Sequence, residues 1–235
     1  MKKSLILSVV MTLVLVISMS TATFAWYTAN NSVTANVNTI TAATATGNLA
    51  IEMSEGTNDG TAEATRTLTG SIKPIAPNAS LAGADNVWTQ GTWKGWNLDV
   101  DNKARDNGAT FDADVVKGTI TVTNQDASSA TGAISVSVSI TGDNAANAEV
   151  VLVYNNTIVC SSAYNYGGAT VNDEGKLDAA TTAEAIEGST LATTLTSIAA
   201  SQSAVFNYYI WFDGFTIANA NQAQSADVTF TFTAA

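Results

Sequence analysis

The chain has 235 residues, with 20 acidic against 9 basic side chains, no histidine and a net charge of −11. A surface of that sign repels nucleic acid and anionic lipid alike. Without histidine there is no Ser-His-Asp or Cys-His arrangement and no His-Glu-x-x-His zinc helix.

The first element reads as a secretory signal: Met1-Lys2-Lys3, an apolar run from Leu5 to Met19, then the small-residue stretch Ser20 to Ala25. The run is short for a membrane span, which needs about 20 apolar residues, so cleavage after Ala25 is expected. Trp26 then opens a mature chain exported whole, to the cell surface or beyond. Its length, about 210 residues, suits one large β domain. The expected division is therefore a signal peptide at 1–25, an N-terminal strand segment at 26–41 and a single sandwich domain at 42–235.

The segment from Trp26 to Thr41 has the pattern of a poorly buried strand. Val33, Ala35 and Val37 alternate with polar neighbours, and the aromatics Trp26 and Tyr27 lead. Fully extended, its sixteen residues reach roughly 50 Å. Two uses fit equally. The segment is an ordinary first strand of its own sandwich, or it completes a neighbour's sheet as a donor strand, with Trp26, Tyr27, Val33, Ala35 and Val37 as polymerisation contacts. Head-to-tail contacts of the second kind do not close, so they generate filaments of identical subunits.

Further along, Trp88, Trp93 and Trp96 form either an aromatic platform for sugars or the cover of a sheet end. The platform is the basis of a rival reading, a monomeric carbohydrate-binding or adhesin module. Asp99, Asp101, Asp106, Asp112 and Asp114 follow in a polar stretch. A pair of them across a cleft is the minimum for glycoside hydrolysis, but nothing near them would raise one pKa. Asp99, Asp101 and Asp106, with Asn102 and Asn107, offer hard oxygens to calcium, at a spacing that departs from the EF-hand loop. A solvated loop is the simpler account of all five acids. No glycine-rich phosphate loop is present, and no enzyme activity or cofactor is expected.

Strict alternation marks Ile120 to Thr123, Ile134 to Ile140 and Val228 to Phe232 as strands with one wet face. The polar stretch Asn124 to Gly132 joins the first two as a hairpin or a sheet-to-sheet connection. Val150 to Tyr154 and Phe206 to Phe212 are apolar on both faces and read as strands covered on both sides. Cys160 is the single cysteine, so it is a buried free thiol or an intermolecular bridge. The alanine-rich stretch Thr181 to Ala200, with Asp178 as cap and Gly188 as interruption, reads as one or two short helices. Many short strands bounded by Asn, Gly and Ser indicate an all-β, jelly-roll-type antiparallel sandwich.

Several stretches, in order, resemble the TasA and camelysin family of exported proteins. They are Thr21-Ala22-Thr23-Phe24-Ala25-Trp26-Tyr27-Thr28 at the signal junction, Asn48-Leu49-Ala50-Ile51, Ser71-Ile72-Lys73-Pro74, and Gly118 to Asn124 with the strand Ala133 to Ile140. The closing stretches Tyr208 to Gly214 and Asn219 to Phe232 match best. The resemblance implies a jelly-roll subunit of extracellular or biofilm-matrix fibres, joined by an N-terminal donor strand and released by a dedicated signal peptidase; whether an accessory or anchor subunit also takes part is left open by the sequence. Two departures stand out: Ile75 follows Pro74 where the family has Gly, and the stretch from Trp88 to Asp114 is an insertion. Camelysin-like members have been described as metallopeptidases, a role this histidine-free chain does not support.

Overall fold

The computed structural model describes residues 36–46, 49–58, 63–67, 75–77, 95–98, 104–109, 115–165, 184–185, 191–195, 197–213 and 225–234. Its strands in chain order are β1 (Asn36–Thr46), β2 (Leu49–Met53), β3 (Thr57–Asn58), β4 (Glu63–Thr67), β5 (Ile75–Pro77), β6 (Gly95–Leu98), β7 (Ala104–Ala109) and β8 (Val116–Asn124). There follow β9 (Ile134–Thr141), β10 (Ala148–Tyr154), β11 (Thr157–Ser161), β12 (Tyr164–Asn165), β13 (Glu184–Ala185), β14 (Ala192–Leu195), β15 (Ser203–Phe212) and β16 (Ser225–Ala234).

These strands make an all-β sandwich of two principal sheets. One is six-stranded, in the order β14-β9-β16-β1-β4-β3, and the other five-stranded, in the order β11-β10-β15-β8-β2. Two smaller sheets, β12-β13 and β5-β6-β7, complete the described strands. The chain repeatedly changes sheets, β8 to β9 to β10 and again β14 to β15 to β16, which gives the sandwich its jelly-roll-like connectivity. The polar stretch after β8 is accordingly a sheet-to-sheet connection. Asn124 organises it from a buried position: its side-chain amide donates to the carbonyls of Ser129, Ile198 and Ala199, and its Oδ1 accepts from the Asp126 N–H. The Asp126 carboxylate in turn accepts from the Ser128 N–H and hydroxyl, which hold its pKa below the usual value.

Period-two patterning produces the main core. Ile134, Val136 and Val138 on β9 and Val228, Phe230 and Phe232 on β16 point inward, while Ser135, Ser137 and Ser139 stay exposed. Phe206 and Tyr208 on β15 interdigitate with Phe232 and Phe230 across the sandwich, with ring centroids 5.0 and 5.8 Å apart. β10 and the second half of β15, from Tyr208 to Phe212, are covered on both faces, as their continuous apolar runs imply. Their outer side chains, Val151, Val153, Tyr209 and Trp211, join Ile75, Ile158 and Ala163 in a second apolar cluster.

The helix expected from Thr181 to Ala200 is overturned at its described positions. Glu184–Ala185 is β13, and Ala192–Leu195 is β14, an edge strand laid antiparallel on β9. A free edge on β9 offers that stretch a hydrogen-bond ladder, with Leu191 and Leu195 packed against the core. This tertiary gain overrides the weak helical preference of its alanines. The one helical turn among the described residues is the 3-10 turn Ala145–Asn147, between β9 and β10.

Candidate functional site

β1 lies inside the six-stranded sheet rather than at its edge. On one side it pairs parallel with the last strand, β16, from Asn36 opposite Ser225 to Thr46 opposite Thr233. On the other it pairs antiparallel with β4, from Thr39 opposite Thr67 to Ala43 opposite Glu63. Val37, Ile40 and Ala42 are buried in the main core, at 2%, 0% and 0% exposure. Val37 and Ile40 are three apart, which a regular strand cannot place on one face. The register with β16 shifts between Val37 and Thr39, so Asn38 is the extra residue that reverses the alternation. Burying a residue the size of Ile40 contributes about 1.5–3 kcal/mol, and two backbone ladders add to it. Withdrawing β1 would leave a slot between β16 and β4.

The walls of that slot have supports of their own. β16 is paired along its length with β9. β4 is tied to the opposite sheet by Arg66, whose Nη1 donates to the Lys117 carbonyl and to the Tyr208 hydroxyl, each at 2.8 Å, while Nη2 pairs with Glu55. The Arg66 side chain is only 13% exposed and that of Glu55 is 72% exposed, so the ion pair itself is worth little, about 0–1 kcal/mol. The two neutral acceptors satisfy the desolvated guanidinium, at about 1.5–3 kcal/mol for a hydrogen bond to a charged group. Burial pushes the Tyr208 hydroxyl above its ordinary pKa, so it stays neutral and able to accept.

Gly118, directly opposite Tyr208 on β8, leaves room for that hydroxyl. A Cβ there would fall 2.6 Å from Tyr208 Cζ and 2.9 Å from Ser54 Oγ. The turn after β2 is fastened to the same strand, because the Ser54 N–H donates to the Thr119 carbonyl and Ser54 Oγ accepts from the Thr119 N–H. Glu55 takes a left-handed φ of +57° in this turn, which costs a non-glycine residue roughly 1–2 kcal/mol and brings its carboxylate to Arg66.

A second polar feature lies at the margin of the outer apolar cluster. Glu149, 5% exposed, is the second residue of β10, and Asp213, 2% exposed, follows β15. Ser162 Oγ donates to Glu149 Oε2 at 3.2 Å and accepts from the Val150 N–H, while the Asp213 N–H donates to the Asn147 carbonyl. Burial, reinforced by the neighbouring Asp213 charge, pushes Glu149 up to about 9, so it is a neutral carboxylic acid near pH 7. Both side chains are shut away from solvent, and the effect of the pair falls on stability.

Of the residues singled out in the sequence, Val37 lies in β1, buried within its own chain. Ala25, Trp26, Tyr27, Val33 and Ala35 lie outside the described residues, as do Trp88, Trp93, Asp99, Asp101, Asp112 and Asp114. Trp96 falls in β6 opposite Asn107 of β7, and Asp106 of β7 is opposite Asn97, so this part of the expected loop is a small antiparallel sheet. Among the described residues no group of three or more Cys, Asp or Glu gathers to hold a metal ion. Cys160 is a fully buried free thiol, pushed up to about 12 by burial. The Arg66 cluster went unread because its partners lie far apart in sequence. Glu149 left a signal, a lone acid at the head of an apolar run. No protein-family model matches the chain, and no curated protein matches it significantly.

Proposed function

We propose that this protein is an exported structural subunit that assembles head to tail into a surface or biofilm-matrix filament by exchanging its first strand between copies. The observation that carries the reading is the place of β1, an interior strand joined to β2 through residues 47 and 48 alone and seated between β16 and β4. A strand from a second copy would make the same two ladders and bury the same three side chains. Exchange is therefore nearly neutral per contact and is favoured by rising concentration. Each copy has one strand to give and one slot to fill; with the strand given to the next copy rather than exchanged reciprocally, the contact is heterologous and the assembly open-ended.

Two features of the sequence support the same reading. The stretch from Met1 to Ala25 has the order of a secretory signal, and the motifs shared with the TasA and camelysin family point to fibre subunits. Negative-stain electron microscopy of the chain from Trp26 to Ala235, incubated alone at rising concentration, tests the proposal. Regular filaments that lengthen with concentration are expected. A monodisperse monomer at every concentration would contradict self-assembly.

A further inference from the structure

A slot that must receive a second copy's strand is useful only if it keeps its shape while empty. We infer that Arg66, with Tyr208 and Lys117, is the brace that holds β4 in place when β1 leaves, a positioning role that rests on the strand-exchange reading. Without β1, β4 keeps only the two-residue pairing with β3, at Thr57 and Asn58. That is too short a ladder to order a strand by itself. The unit from β2 to β4 is nevertheless attached to the five-stranded sheet by contacts that do not involve β1. These are the β2–β8 ladder, the paired Ser54–Thr119 hydrogen bonds, and the Arg66 fork to Lys117 and Tyr208.

Arg66 carries β4 to the opposite sheet through two hydrogen bonds, to the Lys117 carbonyl and the Tyr208 hydroxyl. Its planar guanidinium serves both neutral acceptors from Nη1 while Nη2 holds Glu55, an arrangement over two nitrogens that a lysine's single ammonium cannot reproduce. Gly118 and the cross-strand placing of Tyr208 keep one of those acceptors in reach. The brace therefore makes opening of β1 a local event, with the rest of the sandwich intact.

Native-state amide hydrogen exchange on the monomer, at concentrations too low to polymerise, tests this in the chain from Trp26. The reporters are the β4 amides on the side facing β3, at Ala64 or Thr65 opposite Asn58 and Thr57, read as a ratio to the amides of Thr39 to Ala43 within β1. In the unaltered chain the reporters should exchange at least about tenfold more slowly than β1, the equivalent of one hydrogen bond to a charged group. In Arg66→Met that ratio should fall towards one. Tyr208→Phe, which removes one acceptor and keeps the ring packed on Phe230, should fall between.

The Asn124 and Ser162 amides, bonded to the Gln202 and Val150 carbonyls away from β1 and β4, are the reference for global unfolding and should stay slow in both variants while the reporters speed up. Reporters that exchange together with β1 in the unaltered chain would overturn the inference, as would reporters that stay slow in both variants. Absence of filaments at high concentration would contradict the assembly reading alone, since the exchange pattern is read on the monomer.

Discussion

Replacing Glu149 by Gln should change the pH dependence of stability. The glutamine has the same shape and still accepts the Ser162 hydroxyl, which donates to Glu149 Oε2 at 3.2 Å, but it cannot ionise. In the unfolded chain Glu149 titrates near the ordinary value of 4.5, and in the folded chain burial pushes it up to about 9. Between those values the folded state holds a proton that the unfolded state has lost, so stability falls as pH rises and levels off above about pH 9. At about 1.4 kcal/mol per unit, the window gives a ceiling on the order of 6 kcal/mol; a third of that, about 2 kcal/mol, is readily measured. Urea unfolding of both proteins from pH 5 to pH 9 is the assay. The curves should nearly coincide at pH 5 and separate with rising pH, Glu149→Gln being the more stable. Parallel curves across the whole range would refute the assignment of a buried neutral acid.

Within β1, Ile40→Ala should cost about 2–5 kcal/mol in urea unfolding, because Ile40 is fully buried, whereas Thr41→Ala on the outer face should cost well under 1 kcal/mol. Equal costs would mean that β1 does not occupy the slot between β16 and β4. Cys160, buried with its thiol pushed up to about 12, should be inert to a thiol reagent at pH 8 until urea unfolds the chain. Rapid stoichiometric labelling of the folded protein would contradict its burial.

What the sequence made legible was the part governed by local periodicity. The alternation of Ile134 to Ile140 and Val228 to Phe232, and the two-faced apolar runs at Val150 and Phe206, each describe a strand and its number of covered faces without reference to any partner. What it hid depends on partners. Nothing in the segment around Asn38 announces the extra residue that turns Ile40 and Ala42 inward, because the register of β1 is set by β16, nearly two hundred residues on. The stretch from Ala192 to Leu195 became a strand because β9 had an edge to offer, which local propensity does not record. Arg66 and Tyr208 meet only when the two sheets close. Whether Asn124 to Gly132 was a hairpin or a change of sheet was likewise undecidable until β8 and β9 were seen in different sheets.

If β1 leaves its own slot to fill another copy's, a reversible lock that holds it at home should stop assembly. Thr41 and Thr65 are direct partners across β1 and β4, with side chains on the outer face, and antiparallel neighbours of this kind lie within disulfide range. In the chain from Trp26 carrying Thr41→Cys and Thr65→Cys, electron microscopy under oxidising conditions should show monomers only, and filaments should return on reduction. Filaments of normal length from fully oxidised monomers would mean that β1 stays at home and that another surface joins the subunits.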